Sequence, residues 1–204
     1  NVSAGIMLMI SNWSSFLLTG GARLIIQWHW DKITFGKISF SFSITNLFLT
    51  FVTAISVVLF PSLKRINKEN LPELYQKIRR IMNPLLITIL IFYYPGCWVL
   101  KRWLPAYSNS LTYLGILLPI IIFSSKISLL TNNYLKALRK EKKMLAINLL
   151  SVGIAIGMFS FSAYVANNLK MLLSSIVIAI MICSILAEST VMKTMNIFDA
   201  RSFV

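Results

Sequence analysis

Apolar residues dominate this chain in long runs that short polar connections separate. Each run holds about 20 residues or more, and a helix of about 20 residues crosses a hydrocarbon core of about 30 Å. The pattern predicts an all-α, polytopic membrane protein whose six transmembrane helices form one compact bundle, a single domain over residues 1–204. The six predicted helices cover residues 4–27, 38–61, 82–101, 110–133, 144–165 and 170–191.

The second predicted helix carries one polar stripe in an otherwise apolar span. Its 23 residues from 38 to 60 contain no charged side chain. Polar residues recur there at steps of four, three, four and three, so they share one helical face: Ser39, Ser43, Asn46, Thr50 and Thr53. Hydroxyl and amide groups are costly against acyl chains, so the stripe is expected to face other helices or a water-filled cavity. The spacing leaves both alternatives open.

The first predicted helix repeats this arrangement and adds a cation. Its polar face consists of Asn12, Ser15, Thr19 and Arg23. Arg23 lies about one turn from Trp28, so its guanidinium either reaches the outer interface or points inward. An inward guanidinium would offer phosphate a planar, permanently charged fork.

The fourth predicted helix contains a deeper cation. Lys126 lies about 15 Å from Lys136 at the basic end, and a buried ammonium there costs a few kcal/mol. Ser125, Ser128 and Asn132 extend a polar face along the same helix. We expect Lys126 to line a cavity, although a structural role stays open.

The deep charges are thus positive, and this favours an anionic, amphiphilic ligand such as a lipid phosphate. An exporter of organic cations would more naturally carry a carboxylate inside the membrane. Glu188, near the end of the last predicted helix, is expected to pair locally with basic residues.

Charge distribution predicts the orientation. Six acidic residues stand against 20 basic ones, a net charge of +14. Thirteen basic residues lie in residues 62–81, in residues 134–143 and in the tail, and five lie in the opposite loops. The positive-inside rule therefore places both termini in the cytoplasm. Because these residues flank apolar runs, they indicate orientation and contact with lipid headgroups, and nucleic acid is not an expected partner.

Few residues are available for metal or redox chemistry. The chain has one histidine, His29, and two cysteines, Cys97 and Cys183, both in apolar runs. We expect no metal site, cofactor or disulfide framework. The chain begins with Asn1 and without a basic leader, so a fragment of a longer protein without a signal peptide is expected.

The connection between the second and third helices predicts an additional element. Residues 70–80 have a helical apolar period and are expected to form a short helix along the cytoplasmic surface. Pro84 is expected to begin the third membrane helix, and Pro95 and Pro119 to kink the third and fourth. The apolar face of the short helix consists of Leu71, Leu74, Tyr75 and Ile78.

Five short stretches spread over the chain carry a resemblance to a family. They are RLI from Arg23, FGKISFS from Phe35, VLFPSLKR from Val58, WLPAYS from Trp103 and LKALRKEK from Leu135, with Asn148 in the segment that follows. Together they resemble the bacterial polysaccharide flippases. These are the O-antigen and capsule repeat-unit transporters of the multidrug/oligosaccharidyl-lipid/polysaccharide exporter superfamily. The family often has an acidic residue before its arginine, where this chain has Ala22.

The resemblance implies one half of a twelve-helix or longer exporter, here the C-terminal six helices, with the N-terminal half as partner. The expected activity is not enzymatic: oligosaccharides on undecaprenyl pyrophosphate are flipped across the bacterial inner membrane by alternating access. Polysaccharide polymerase machinery is a further expected partner. Arg23 and Lys126 would attract the pyrophosphate or acidic sugars. The expected hydrogen-bonding partners of the sugars are Asn12, Ser15, Asn46, Thr50, Ser128 and Asn132.

Three other functions stay open. An ion-coupled exporter of drugs or small molecules, from the same superfamily, would need a deep carboxylate. A membrane-embedded glycosyltransferase or polymerase would need catalytic residues on large outer loops, where Asp31 is the one acid. In a non-transporting membrane scaffold, the polar stripes would serve only to join helices.

Overall fold

The chain folds into long helices joined by short turns. The computed structural model describes residues 2–66, 68–103, 105 and 108–195, and these residues contain no strand. The all-α prediction is confirmed for them. The α-helices are α1 (Val2–His29), α2 (Lys32–Arg65), α3 (Leu71–Trp103), α4 (Ser108–Ser125), α5 (Asn133–Ala137), α6 (Glu141–Ser160) and α7 (Leu169–Thr194).

In the described part of the chain, two π-helical segments interrupt the regular helices. Lys126–Asn132 joins α4 to α5 without a break, and Phe161–Val165 extends α6. A 3₁₀ turn, Lys68–Asn70, precedes α3. π-helical turns are rare and often occur at functional sites.

Five helical stretches are long and apolar enough to cross a membrane. Their length and apolar composition indicate a membrane protein, as the sequence predicts. Helix α1 has 28 residues and is helical as predicted, but it is not among the five found in the described part of the chain. The count of six spanning helices, the orientation and the place within an exporter stay predictions. The five stretches are Lys32–Arg65, Leu71–Trp103, Ser110–Ala137, Glu141–Val165 and Leu169–Thr194.

The structure corrects the prediction for the third helix. One continuous helix, α3, replaces the separate surface helix and membrane helix, and Pro84 lies inside it. The reason is that the apolar face of its first turns packs into the bundle: Tyr75 is buried, and its ring meets that of Tyr134 edge-on at 5.0 Å. A membrane helix tolerates an internal proline where its surroundings satisfy the freed backbone groups. Pro95 and Pro119 also lie inside helices, and their kinks stay predictions.

Two apolar clusters hold the bundle together. The larger one joins α1, α2, α4, α6 and α7, and its centre includes Leu117, Leu172 and Ile176, all fully buried. The smaller one lies toward the basic end and includes Tyr75 and Tyr134. Helix α7 packs against α1, α4 and α6, whereas α3 packs mainly against α4. As a result α3 is held at the edge of the bundle.

Candidate functional site

The polar residues of α2 form an outer stripe, which we define as Ser39, Ser43, Asn46, Thr50 and Thr53. Asn46, Thr50 and Thr53 are exposed and border an open groove of about 580 Å³. The hydroxyls of Thr50 and Thr53 donate to carbonyls of their own helix, at 2.9 and 2.8 Å. The Asn46 amide donates no hydrogen bond to the described residues. Within the described chain, the part of the outer stripe from Ser43 to Thr53 therefore faces away from the other helices, whereas Ser39 is half-buried.

The opposite face of α2 is buried. Ser41 and Phe42 are almost inaccessible, and the Ser41 hydroxyl donates to the carbonyl of Ser110 on α4 at 2.6 Å. One helix thus carries both a bonded polar contact and an open polar surface.

Arg23 lies where α1 meets α2. Its guanidinium carbon is 4.5 Å from the centre of the Phe42 ring, a cation–π contact. Its Nε and Nη2 atoms are buried and have no hydrogen-bond partner among the described residues. Arg23 precedes the end of α1 by six residues, about 9 Å along the helix axis. Because buried donors without acceptors are costly, this edge of the guanidinium is suited to receive an anion.

Lys126 occupies the first position of the π-helical segment after α4 and is half-buried. Among the described residues, one ion pair is present: Arg79 Nε lies 2.9 Å from Glu188 Oε1. It confirms the expected local pairing of Glu188. Lys126 has no carboxylate within ion-pair distance in that part of the chain.

The structure distributes the remaining predicted residues among different surroundings. Asn12 is exposed on α1, while Ser128 and Asn132 are half-buried in the π-helical segment. The carbonyl of Ser128 accepts a hydrogen bond from the Ser56 hydroxyl at 2.9 Å. The side chain of Ser15 lies outside the described set. Arg23 lies between α1 and α2, whereas Lys126 begins the segment that follows α4, and no contact among the described residues joins the two side chains.

Sequence reasoning missed the buried polar contact made by Asn148. Its amide donates to the Ser11 hydroxyl at 2.6 Å and to the Ser11 carbonyl at 3.2 Å. The Cys183 thiol donates to the side-chain amide oxygen of Asn148 at 3.7 Å. All three residues are buried, so this contact joins α1, α6 and α7. The sequence did contain a signal for this contact, because Asn148 is an amide within an otherwise apolar run.

A second missed contact involves Asn133. Its amide donates to the Ser56 hydroxyl at 2.9 Å, to the Ser56 carbonyl at 3.3 Å and to the Leu129 carbonyl at 3.1 Å. This contact joins α2 to the end of the π-helical segment. Asn132 was the predicted residue, but its neighbour makes the bond.

Two of the cavities between the described helices differ in character. An apolar cavity of about 610 Å³ separates α3 from α2 and α4, and Phe48, Phe92 and Leu118 line it. A second cavity of about 470 Å³ lies at the basic end, where Lys64, Lys136, Arg139 and Glu141 line it together with apolar residues. We call the second one the basic cavity.

Comparison of the chain with protein-family models, curated proteins and solved structures finds no match.

Proposed function

We propose that this membrane protein is a flippase for lipid-linked oligosaccharides. In this proposal it moves undecaprenyl-pyrophosphate-linked polysaccharide repeat units across the bacterial inner membrane by alternating access, as the C-terminal half of an exporter. The observation that supports it best is the Arg23 guanidinium between two helices, whose buried donors have no acceptor among the described residues.

A pyrophosphate group fits the chemistry of Arg23. The Phe42 ring holds one face of the guanidinium, which leaves its edge for hydrogen bonding. Planar, charge-assisted pairs between arginine and phosphate are among the strongest polar contacts, and they gain strength where water is scarce. A neutral drug would leave the buried donors without a partner.

The outer stripe suits the sugar part of the substrate. A hydroxyl that donates to its own helix keeps lone pairs that accept hydrogen bonds from sugar hydroxyls, and Thr50 and Thr53 are of this kind. Asn46 adds an exposed amide that bonds to no other described residue. The apolar cavity beside α3 would accommodate part of an isoprenoid chain.

The test is transport by Arg23 variants of the full-length protein in proteoliposomes, using a labelled lipid-linked oligosaccharide. We expect Arg23→Gln to slow transport by about tenfold or more and Arg23→Lys to restore part of it, because charge returns without the planar fork. Arg102→Gln is the matched control: Arg102 also lies over an aromatic ring, that of Trp98, but is exposed at a helix end. Equal rates for Arg23→Gln and Arg102→Gln would reject the role of Arg23.

Lys126 provides a second test. Lys126→Ala is expected to abolish flipping while membrane insertion stays normal, because the ammonium would be lost from a half-buried position. Normal export of polymer by this variant would remove Lys126 from the proposed site.

One observation also fits a non-transporting scaffold. The hydroxyls of the outer stripe donate to carbonyls of their own helix, and such hydroxyls are tolerated against lipid or another helix. Single cysteines at Asn46, Thr50 and Lys126, in a background lacking Cys97 and Cys183, distinguish the two functions. Labelling of all three by a membrane-impermeant thiol reagent supports a wet cavity. No labelling, while loop controls react, supports the scaffold.

A further inference from the structure

The basic cavity lies where five parts of the chain converge. The end of α2, the start of α3, α5, the turn after it and the start of α6 surround it, and Leu8 of α1 reaches it. Its apolar lining includes Phe60, Leu63 and Leu71, of which Leu63 and Leu71 belong to the smaller apolar cluster. The cavity therefore combines an apolar floor with charged side chains.

Three cations and one carboxylate line this cavity. Lys64 places its Nζ 4.9 Å from the centre of the Phe60 ring, and Lys136 is half-buried. Glu141 contributes the carboxylate, yet no ion pair within the described residues joins it to Lys64, Lys136 or Arg139. A net positive, partly desolvated cavity remains, and it is suited to an anion.

The backbone at Arg139 supplies an independent observation. Arg139 has φ of 54°, in the left-handed region that favours glycine. The turn after α5 is a Schellman motif: Arg139 N–H donates to the Lys136 carbonyl at 3.2 Å, and Lys140 N–H donates to that of Leu135 at 2.9 Å. Glycine is the usual residue at this position. An arginine there accepts an unfavourable left-handed backbone conformation and places a guanidinium at the cavity.

We infer that the basic cavity binds the phosphate of an anionic phospholipid from the adjacent leaflet. The cations hold the phosphate, and the apolar floor receives the glycerol and the first carbons of the acyl chains. Basic cavities between membrane helices recognise lipid headgroups in this way. The site is independent of transport, and a soluble phosphate would not use the apolar floor.

Phosphatidylglycerol is the probe. The full-length protein is unfolded by heat in detergent micelles with added phosphatidylglycerol, phosphatidylcholine or soluble glycerol phosphate. We expect only phosphatidylglycerol to raise the unfolding midpoint, since a ligand of the folded state stabilises it by mass action. Equal stabilisation by glycerol phosphate would overturn the assignment to a lipid, and so would equal stabilisation by phosphatidylcholine.

A matched pair of double variants locates the site. Lys136→Gln with Arg139→Gln is expected to weaken phosphatidylglycerol binding about 25-fold, since each of the two cations is expected to add about a factor of five. Lys77→Gln with Lys142→Gln removes the same charge from exposed positions that do not line the cavity. Equal weakening in both pairs would indicate diffuse surface charge and overturn the proposal.

Arg139→Gly separates binding from folding. Because glycine adopts the left-handed conformation freely, the unfolding midpoint of the lipid-free protein should stay the same or rise while lipid binding falls. A fall in that midpoint, with lipid binding retained, would assign Arg139 a structural role and overturn the proposal.

Discussion

Two sets of polar side chains share the membrane-spanning part of this protein, and their hydrogen bonds differ. Asn148 and Asn133 are buried and bond across helices. In the outer stripe of α2, Thr50 and Thr53 are exposed and bond within their own helix. Among these four residues, the buried amides join helices and the exposed hydroxyls form an open surface. Burial and the bonding partner together distinguish the two roles.

The contact of Asn148 with Ser11 should give the largest effect on stability. Asn148→Leu leaves the buried Ser11 without this donor, and we expect a loss of about 1–2 kcal/mol in the free energy of unfolding. Asn12→Leu is the matched control, because Asn12 is exposed on the helix that carries Ser11. Unfolding in denaturing detergent measures both. An equal loss for Asn12→Leu would break the distinction between buried and exposed amides.

The second largest effect is expected at Asn133. Asn133→Leu removes its bonds to Ser56, and we expect a loss of about 1 kcal/mol because interhelical hydrogen bonds in membranes contribute modestly. Its neighbour provides the control: Asn132→Leu should have less than half this effect. If Asn132→Leu proves the more damaging, the assignment of the bond to Asn133 is wrong.

Asp31 sharpens the comparison, because it is exposed yet bonded to the backbone. Its carboxylate accepts from the Thr34 N–H at 3.3 Å and caps α2. Hydrogen bonds from Thr34, chiefly from its side chain, hold the pKa of this carboxyl below its usual value. The pKa of Asp31 is thus lower in the folded state than in the unfolded state. The ionised carboxylate stabilises the fold at pH values above its unfolded-state pKa of about 4, and this stabilisation is lost as the pH falls through its folded-state pKa.

Asp31→Ala should therefore lower the thermal midpoint near neutral pH, by less than Asn148→Leu does, and the difference from wild type should shrink in acid. Asp31→Asn keeps an acceptor without a titrating proton and should show little of this pH dependence. A constant difference between Asp31→Ala and wild type from neutral pH into acid would show that the cap does not contribute through its charge.

The smallest effect on stability is expected in the outer stripe. Asn46→Leu should change the free energy of unfolding by less than about 0.5 kcal/mol, because this exposed amide bonds to no described residue. Transport of the lipid-linked oligosaccharide should nevertheless fall if the proposed function holds. A large loss of stability would place Asn46 with Asn148 and Asn133 among the residues that join helices.

Hydrophobic periodicity predicted most of the fold. The apolar runs predicted five stretches that are confirmed as able to span a membrane, because burial of apolar residues in lipid leaves few alternatives to a helix. The prediction that a new helix begins at Pro84 was wrong. A proline tends to end an isolated helix, but here the packing of Tyr75 against Tyr134 holds the preceding turns in one continuous helix. Local sequence does not contain that contact.

The candidate site was less accessible to prediction. Spacing placed the outer stripe of α2 on one face, but it did not reveal which face packs on α4. Arg23 was left with two alternatives, and its contact with Phe42 depends on how α1 meets α2. The Asn133 contact was missed because the π-helical segment changes the spacing that a regular helix would have.

That segment has a mechanical consequence. A turn closed by i to i+5 bonds holds one residue more than its α-helical counterpart, and one residue corresponds to about 100° of rotation around a helix axis. The segment Lys126–Asn132 therefore changes the direction in which the side chains of α5 point relative to those of α4. If the extra residue of the π-helical turn moved to a neighbouring turn, the helix between the two positions would rotate about its axis. This rotation would break the hydrogen bond between Asn133 and Ser56 and would turn Lys126 toward a different neighbour.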